Sequence, residues 1–375
     1  MSELTGRQKK VDIYLIGQMA CYMDLVFNGR YSIMSVSMLI GIVSFINLYS
    51  ENKELFKRFI VLEILSVILL YSNASHMVTT FSVLCALFSF YSTAWLLLVG
   101  RFSEKYTFAI SLMFCIISIY RIVFYGTEIG NLYSLSSHNW ISIYFTVFTY
   151  PYYIAKFKVG EKPNLIPAVL CVLMSFVSQG RGNIIFSLIL LLGLLLDVFM
   201  VKNIKNKKIT KFAICILFMF LLFYISTYFD VIFNNYLSRF TEKNDFESEE
   251  RSLIFMGYIS EMVNSWHSFV FGIDYRPFVN VYIEHLHNSF LMTHHCMGIF
   301  ALLALLYMIP KGILTMLHRG CVHILIISIA FVVKSIFEWA YPTQLGDIII
   351  VYIILLPFTS YEVYNNSKHS ITIHK

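Results

Sequence analysis

The chain reads as an all-α protein, a polytopic bundle of transmembrane helices. Hydrophobic residues make up 58% of its 375 positions and charged residues only 13%, with a mean hydropathy of +0.70. That composition excludes a soluble domain of this length, which needs a charged surface around its core. The apolar residues also arrive in runs rather than at amphipathic spacing throughout. About 12 such runs are present, each near the ~20 residues a bilayer requires and some shorter.

The runs fall at 11–27, 31–50, 59–73, 77–99, 106–125, 139–155, 164–179, 183–201, 212–229, 286–309, 321–339 and 345–359. No internal repeat or low-complexity tract divides them, so residues 1–375 read as one integral membrane domain. Arg7, Lys9 and Lys10 precede the first run as they would in a signal peptide. No Ala-x-Ala site follows, and Gln18-Met19-Ala20-Cys21 fits lipoprotein processing poorly, so an uncleaved first span is expected. Aromatic residues reach 17%, which suits lipid-facing and interfacial surfaces.

Orientation follows from the basic residues, which gather on the cytoplasmic side of membrane proteins. Alternate connections carry Arg7/Lys9/Lys10, Lys53/Lys57/Arg58, Arg101/Lys105, Lys156/Lys158/Lys162, the Lys-rich stretch 202–211, Lys311/Arg319 and Lys368/Lys375. The opposite connections hold only Arg30, Arg181, Arg239, Lys243, Arg251 and Arg276. An even number of spans with both termini in the cytoplasm satisfies this pattern. It places the 178–183 turn, the long connection 230–285 and the stretch from Glu284 to Leu291 together on the far side.

The long connection has structure of its own. Phe255, Tyr258, Ile259, Met262 and Trp266 recur at helical spacing, which predicts an amphipathic helix lying on the membrane surface. The acidic run Asp245 to Glu250 precedes it and favours a helix N-terminus. Seven cysteines, at 21, 85, 115, 171, 215, 296 and 321, lie almost entirely within apolar runs and form no Cys-x-x-Cys pair. They read as small apolar packing residues, with neither a disulfide framework nor a zinc site.

Polar residues at a membrane boundary are costly, and on the far side they mark where chemistry can take place. Arg181 stands between Gly180 and Gly182, where a ligand can approach the backbone and a guanidinium can fork a phosphate; a snorkelling arginine at a helix end is the plainer reading. Arg251 opens the amphipathic helix, where pairing with Glu249 or Glu250 is the plainer reading. His287-Asn288 opens the tenth run, and a histidine there can exchange a proton near neutral pH or merely join a helix cap. His285, His287, His294 and His295 cluster, but their spacing matches no metal-ligand motif and no metal is expected. Lys334 and Glu338 lie four apart and can pair, structurally or as a proton relay. Arg121 ends the fifth run, where it either contacts phosphate or snorkels.

In their order, Ser178-Gln179-Gly180-Arg181-Gly182, Arg251, Phe271-Gly272, His287-Asn288-Ser289-Phe290-Leu291 and Gly298 resemble the motifs of the O-antigen ligase and polymerase superfamily, the Wzy/WaaL-like membrane glycosyltransferases. The resemblance covers about residues 175–310, and Asp274 stands where the family has a second glycine. It implies a bacterial inner-membrane enzyme that takes an oligosaccharide from an undecaprenyl-diphosphate donor with inversion at the periplasmic face, without metal, nucleotide sugar or other cofactor. Most similar is the Wzy-type polymerase, which joins lipid-linked repeat units of O-antigen or capsule. The alternatives are the ligase that moves the glycan to lipid A core and, in another class, a flippase. The implied roles are Arg181 and Arg251 on the diphosphate, His287 as base, and Arg276, Asn288, Asn183 and Arg121 in substrate contact. The implied partners are the lipid-linked oligosaccharide, the bilayer and a chain-length regulator; no nucleic acid is expected.

Overall fold

The structure, a computed structural model, describes residues 2–49, 53–72, 81–125, 131–134, 138–178, 181–199, 254–274 and 286–359. Among the described residues there are helices and no strand. They are α1 (Ser2–Asn28), α2 (Ile33–Leu48), α3 (Lys53–Ser72), α4 (Phe81–Val99), α5 (Glu104–Tyr125), α6 (Ile141–Val159), α7 (Ile166–Val177) and α8 (Arg181–Phe199), then α9 (254–264), α10 (Trp266–Phe271), α11 (Ser289–His318), α12 (Val322–Phe337) and α13 (Asp347–Leu355). A helix occupies every apolar run read from the sequence except 212–229, which lies outside the described residues. By length and composition, α4, α5 over Glu104–Phe124 and α11 are able to cross a membrane; α2, α7, α8, α12 and α13 are apolar but shorter.

Exposure patterns agree with a lipid environment. Ile46, Phe124 and Phe300 are 72%, 73% and 65% exposed, and similar residues line the outer faces of α2, α3, α5 and α11. Such surfaces are stable against hydrocarbon and unstable against water. The chain is therefore a helical membrane protein. Its centre is built from α4, α6 and α13: Ser89–Val99, Ile141–Ala155 and all of α13 are buried.

With lipid outside, apolar burial gives no preference for one helix over another, so small residues and hydrogen bonds decide the packing. A side chain on Gly41 would strike Ser92 Oγ at 2.5 Å, so α2 and α4 approach through that glycine. Gly312 on α11 lies likewise against the Ile353 carbonyl of α13. Between α1 and α4, Gln18 Nε2 donates to Ser92 Oγ at 2.8 Å, and Tyr22 donates to the Ser89 carbonyl at 2.8 Å. The six described cysteines are buried and free, as packing residues are.

The amphipathic stripe is divided in the fold: α9 turns Ile254 and Tyr258 into the protein, at 4% and 0% exposure, and leaves Phe255, Met256 and Val263 outward with Trp266 of α10. The reason is the Tyr258 hydroxyl, which needs a polar partner when buried. It finds His294 Nδ1 on α11 at 2.8 Å.

Candidate functional site

The site gathers where α11 begins, where α12 ends and where α8 opens. His287 holds the left-handed conformation, with φ 50°, which a residue with a Cβ adopts only when its surroundings enforce it. The next residue supplies the enforcement. Asn288 is extended and caps α11, its Oδ1 accepting from Phe290 N at 2.9 Å and Leu291 N at 3.0 Å. Ser289 then latches the α12–α13 connection: its Oγ donates to the Glu338 carbonyl at 2.7 Å and accepts from Ala340 N at 2.8 Å.

That latch brings two distant segments into register. His287 Nδ1 lies 3.5 Å from Glu338 Oε2, and Lys334 Nζ lies 3.9 Å from Glu338 Oε1. The carboxylate thus faces an imidazole with one oxygen and an ammonium with the other. The Glu338 and Lys334 side chains are each only 4% exposed, whereas His287 keeps 19%. At 3.5 Å no hydrogen bond joins the two, but a buried carboxylate charge stands beside the imidazole of a partly open histidine, a placement that suits a proton-transferring group. Sequence reading pairs Lys334 with Glu338 as neighbours on a helix. In the fold α12 stops at Phe337 and Glu338 is extended, φ −147° and ψ 154°, which frees its carboxylate to reach His287.

Lys334 also connects this pair to the 178–183 turn. A Cβ on Gly182 would lie 2.9 Å from Lys334 Nζ, so the ammonium rests against the first turn of α8. The N-terminal end of a long helix carries partial positive charge and open N–H groups. An ammonium at that end makes the place attractive to an anion. Arg181 opens α8; its side chain, with Gln179 and Gly180, lies outside the described residues. Asn183 is fully buried and joins α8 to its neighbours: Ser142 Oγ donates to its Oδ1 at 2.6 Å, and its Nδ2 donates to Ser178 Oγ at 3.2 Å.

Phe271-Gly272 and Gly298, distant in sequence, are in contact. Gly272 has φ 87°, and a Cβ there would meet the His294 carbonyl at 2.3 Å; Gly298 has φ 78° inside α11, and a Cβ there would meet the Val270 carbonyl at 2.4 Å. Only glycine fits either place. The histidines of α11 fasten the same segment. His294 Nε2 faces the Phe269 carbonyl at 2.9 Å and so donates, which leaves Nδ1 to accept from Tyr258. His295 Nδ1 donates to the Ile273 carbonyl at 2.6 Å. Among the described residues no three His, Cys, Asp or Glu side chains are placed to share a metal ion.

The remaining sequence candidates divide. Arg121 donates to the Phe27 carbonyl at 2.6 Å and lies over the Phe27 ring, so it ties α5 to the end of α1. Asn288 has its amide oxygen engaged in the cap and Asn183 its amide in the α6–α8 contact. Arg251, Arg276 and His285 lie outside the described residues. Sequence reasoning paired Glu338 with Lys334, as the structure does, but missed its approach to His287, because no local spacing relates the two. No family model, curated protein or solved structure matches this chain.

Proposed function

We propose that the chain is a polysaccharide polymerase of the Wzy type, an inverting glycosyltransferase of the bacterial inner membrane. In this reading some twelve spans, with both termini in the cytoplasm, hold the site at the periplasmic face. The enzyme moves a growing glycan from undecaprenyl diphosphate to a new lipid-linked repeat unit. The observation that carries the reading is the convergence of His287, Glu338 and Lys334 at the opening of α8.

His287 takes the proton from the acceptor hydroxyl as that oxygen attacks the anomeric carbon. Glu338, beside the ring, offsets the imidazolium charge. The anomeric C–O bond to the diphosphate breaks, its electron pair leaves with the diphosphate, and inversion follows from attack opposite the leaving group. Charge grows on the departing diphosphate, so cations placed there lower the barrier more than they tighten binding. Lys334 and the α8 N-terminus suit that role, and the reading adds Arg181 and Arg251 as forked contacts. The meeting of Phe271-Gly272 with Gly298 also supports it, because motif pieces known only by their order lie side by side.

The test is direct. A deletion strain of a lipopolysaccharide-bearing host, complemented with the wild type, makes long chains; without the gene it carries a single repeat unit on core. Core with no repeat at all identifies the ligase instead. Purified protein that moves lipid-linked glycan across a vesicle membrane without forming a glycosidic bond identifies a flippase.

A further inference from the structure

The far end of α11 carries a feature that the proposed chemistry does not use. A groove of about 490 Å³ runs along its outer face, lined by Leu306, Tyr307, Pro310, Lys311, Leu314 and His318. Leu306, Tyr307 and Leu314 are more than half exposed, as lipid-facing residues are. From Leu306 to His318 the helix rises about 18 Å, close to the roughly 15 Å of hydrocarbon in one leaflet. The groove therefore has the length of an acyl chain and ends where headgroups begin. This is the end that the basic residues assign to the cytoplasm: Lys53, Lys57 and Arg58 stand in the first turns of α3, and Lys311 and Arg319 near the end of α11.

The cations here are held in place. Lys311 Nζ lies 5.5 Å from the centre of the Tyr307 ring and 5.4 Å from that of Phe358, in the turn Leu356–Phe358. Arg58 of α3 brings its guanidinium carbon to 4.5 Å from the centre of the same Phe358 ring. A lysine at a membrane boundary ordinarily snorkels on a flexible stem. Two aromatic faces fix this one beside the groove. One ring thus gathers a positive charge from α3 and another from α11. Glu54 Oε1, 3.3 Å from Arg58, offsets part of that charge, but its side chain is 64% exposed and water screens the pair. His318 adds a ring N–H at the headgroup end of the groove.

An apolar groove that ends at fixed cations matches a lipid whose headgroup bears a phosphate and no compensating ammonium. A zwitterionic headgroup brings its own cation towards Lys311 and Arg58, and a free phosphate leaves the apolar wall unused. We infer that this groove is a binding site for one anionic phospholipid of the phosphatidylglycerol class, its phosphate beside Lys311 and Arg58 and an acyl chain along Leu306, Pro310 and Leu314. The bound phosphate ties α3 to α11, the helix that opens at the His287 site. The inference is independent of the polymerase reading, since it uses no residue of that site.

Native mass spectrometry of the detergent-solubilised full-length protein tests it, with phosphatidylglycerol and phosphatidylcholine of the same acyl chains as probes. The wild type is expected to bind phosphatidylglycerol more tightly. Lys311→Gln and Arg58→Gln should each weaken that binding about fivefold and leave phosphatidylcholine unchanged, while Lys311→Arg keeps the charge and the preference. Leu314→Trp fills the groove and should weaken both lipids. Equal affinity of the wild type for the two lipids overturns the inference, and this result needs no variant. A preference that survives the Lys311→Gln/Arg58→Gln double variant also overturns it, since the lipid then binds elsewhere. A wild-type Tm raised as much by inorganic phosphate as by phosphatidylglycerol at equal concentration identifies a bare anion site and overturns the lipid.

Discussion

The helices α1 to α5 and the helices α11 to α13 are made from the same apolar alphabet, yet they use their polar residues in opposite ways. In the first region Gln18 is bound to Ser92, and Tyr22, Ser89 and Thr93 to one another, across regular helices, and Phe45 packs among Phe56, Phe59, Phe88 and Trp95. In the second region buried ionisable groups gather, Lys334, Glu338, His294, His295, His323 and Asp347, against Asp12 and Glu63 in the first. Among the described residues the non-glycine positions with positive φ, His287 and Thr343, both belong there, as does the break in α11 at Gly298. Short hydroxyls and amides glue helices together at little cost, whereas buried ionisable groups and left-handed residues cost stability and persist where a site needs them. The first region packs mainly as scaffold, and in the proposed reading the second holds the chemistry.

Substitutions that touch the proposed base break this contrast most sharply. His287→Ala is expected to slow glycan transfer by about 10²–10⁴-fold, the usual worth of a general base, with donor binding nearly intact. Glu338→Gln keeps the shape but removes the charge beside Nδ1, and a fall of about 10²-fold or more is expected. Single-turnover transfer by purified protein measures both, and wild-type rates in a correctly inserted His287→Ala protein would remove His287 from the mechanism.

The glycine contacts come next. Gly298→Ala and Gly272→Ala each place a methyl against a carbonyl in a backbone conformation that alanine resists, at a cost of about 2–4 kcal/mol. A Tm depressed in both, with α10 losing hydrogen-exchange protection, is the expected outcome; an unchanged Tm would show that α10 is not seated on α11.

Within the scaffold, Tyr22→Phe removes the hydroxyl bound by Ser89 and Thr93 and should cost about 1 kcal/mol while leaving transfer unaltered. A large loss of transfer would erase the distinction between the two regions.

The smallest effect is expected outside the bundle core, in the connection after α6. Lys156 Nζ donates to Glu161 Oε2 at 2.7 Å, and this bond, together with the charge on Lys156, holds the Glu161 carboxyl below its ordinary value. The stabilisation is present above the ordinary carboxylate pKa and disappears as pH falls through the lowered one. Glu161 is 52% exposed, so screening limits the effect to a few tenths of a kcal/mol, roughly. Comparison of Tm against pH for the wild type and Glu161→Gln reads it.

Most helices were visible in the chain itself because their cause is local. A bilayer sets the length of an apolar run, and every backbone N–H inside it must bond within its own segment, so a run of suitable length is a helix wherever it lies. The same locality made Asn288 recognisable as the start of α11 and the cysteines as packing residues. The site was only partly visible. His287 stood out as a polar residue at a span boundary, but its partner did not, because α12 had to end one residue before Glu338 for the carboxylate to swing towards it. The inward turn of Tyr258 was hidden for the same reason: an amphipathic stripe faces lipid or protein with equal ease, and a hydrogen bond to His294 decides between them. Composition and run length alone determined that this is a helical membrane protein. Which polar groups meet was settled by helix rotation and termination in three dimensions, since lipid rewards no particular pairing of apolar faces and leaves that choice to a few small residues and hydrogen bonds.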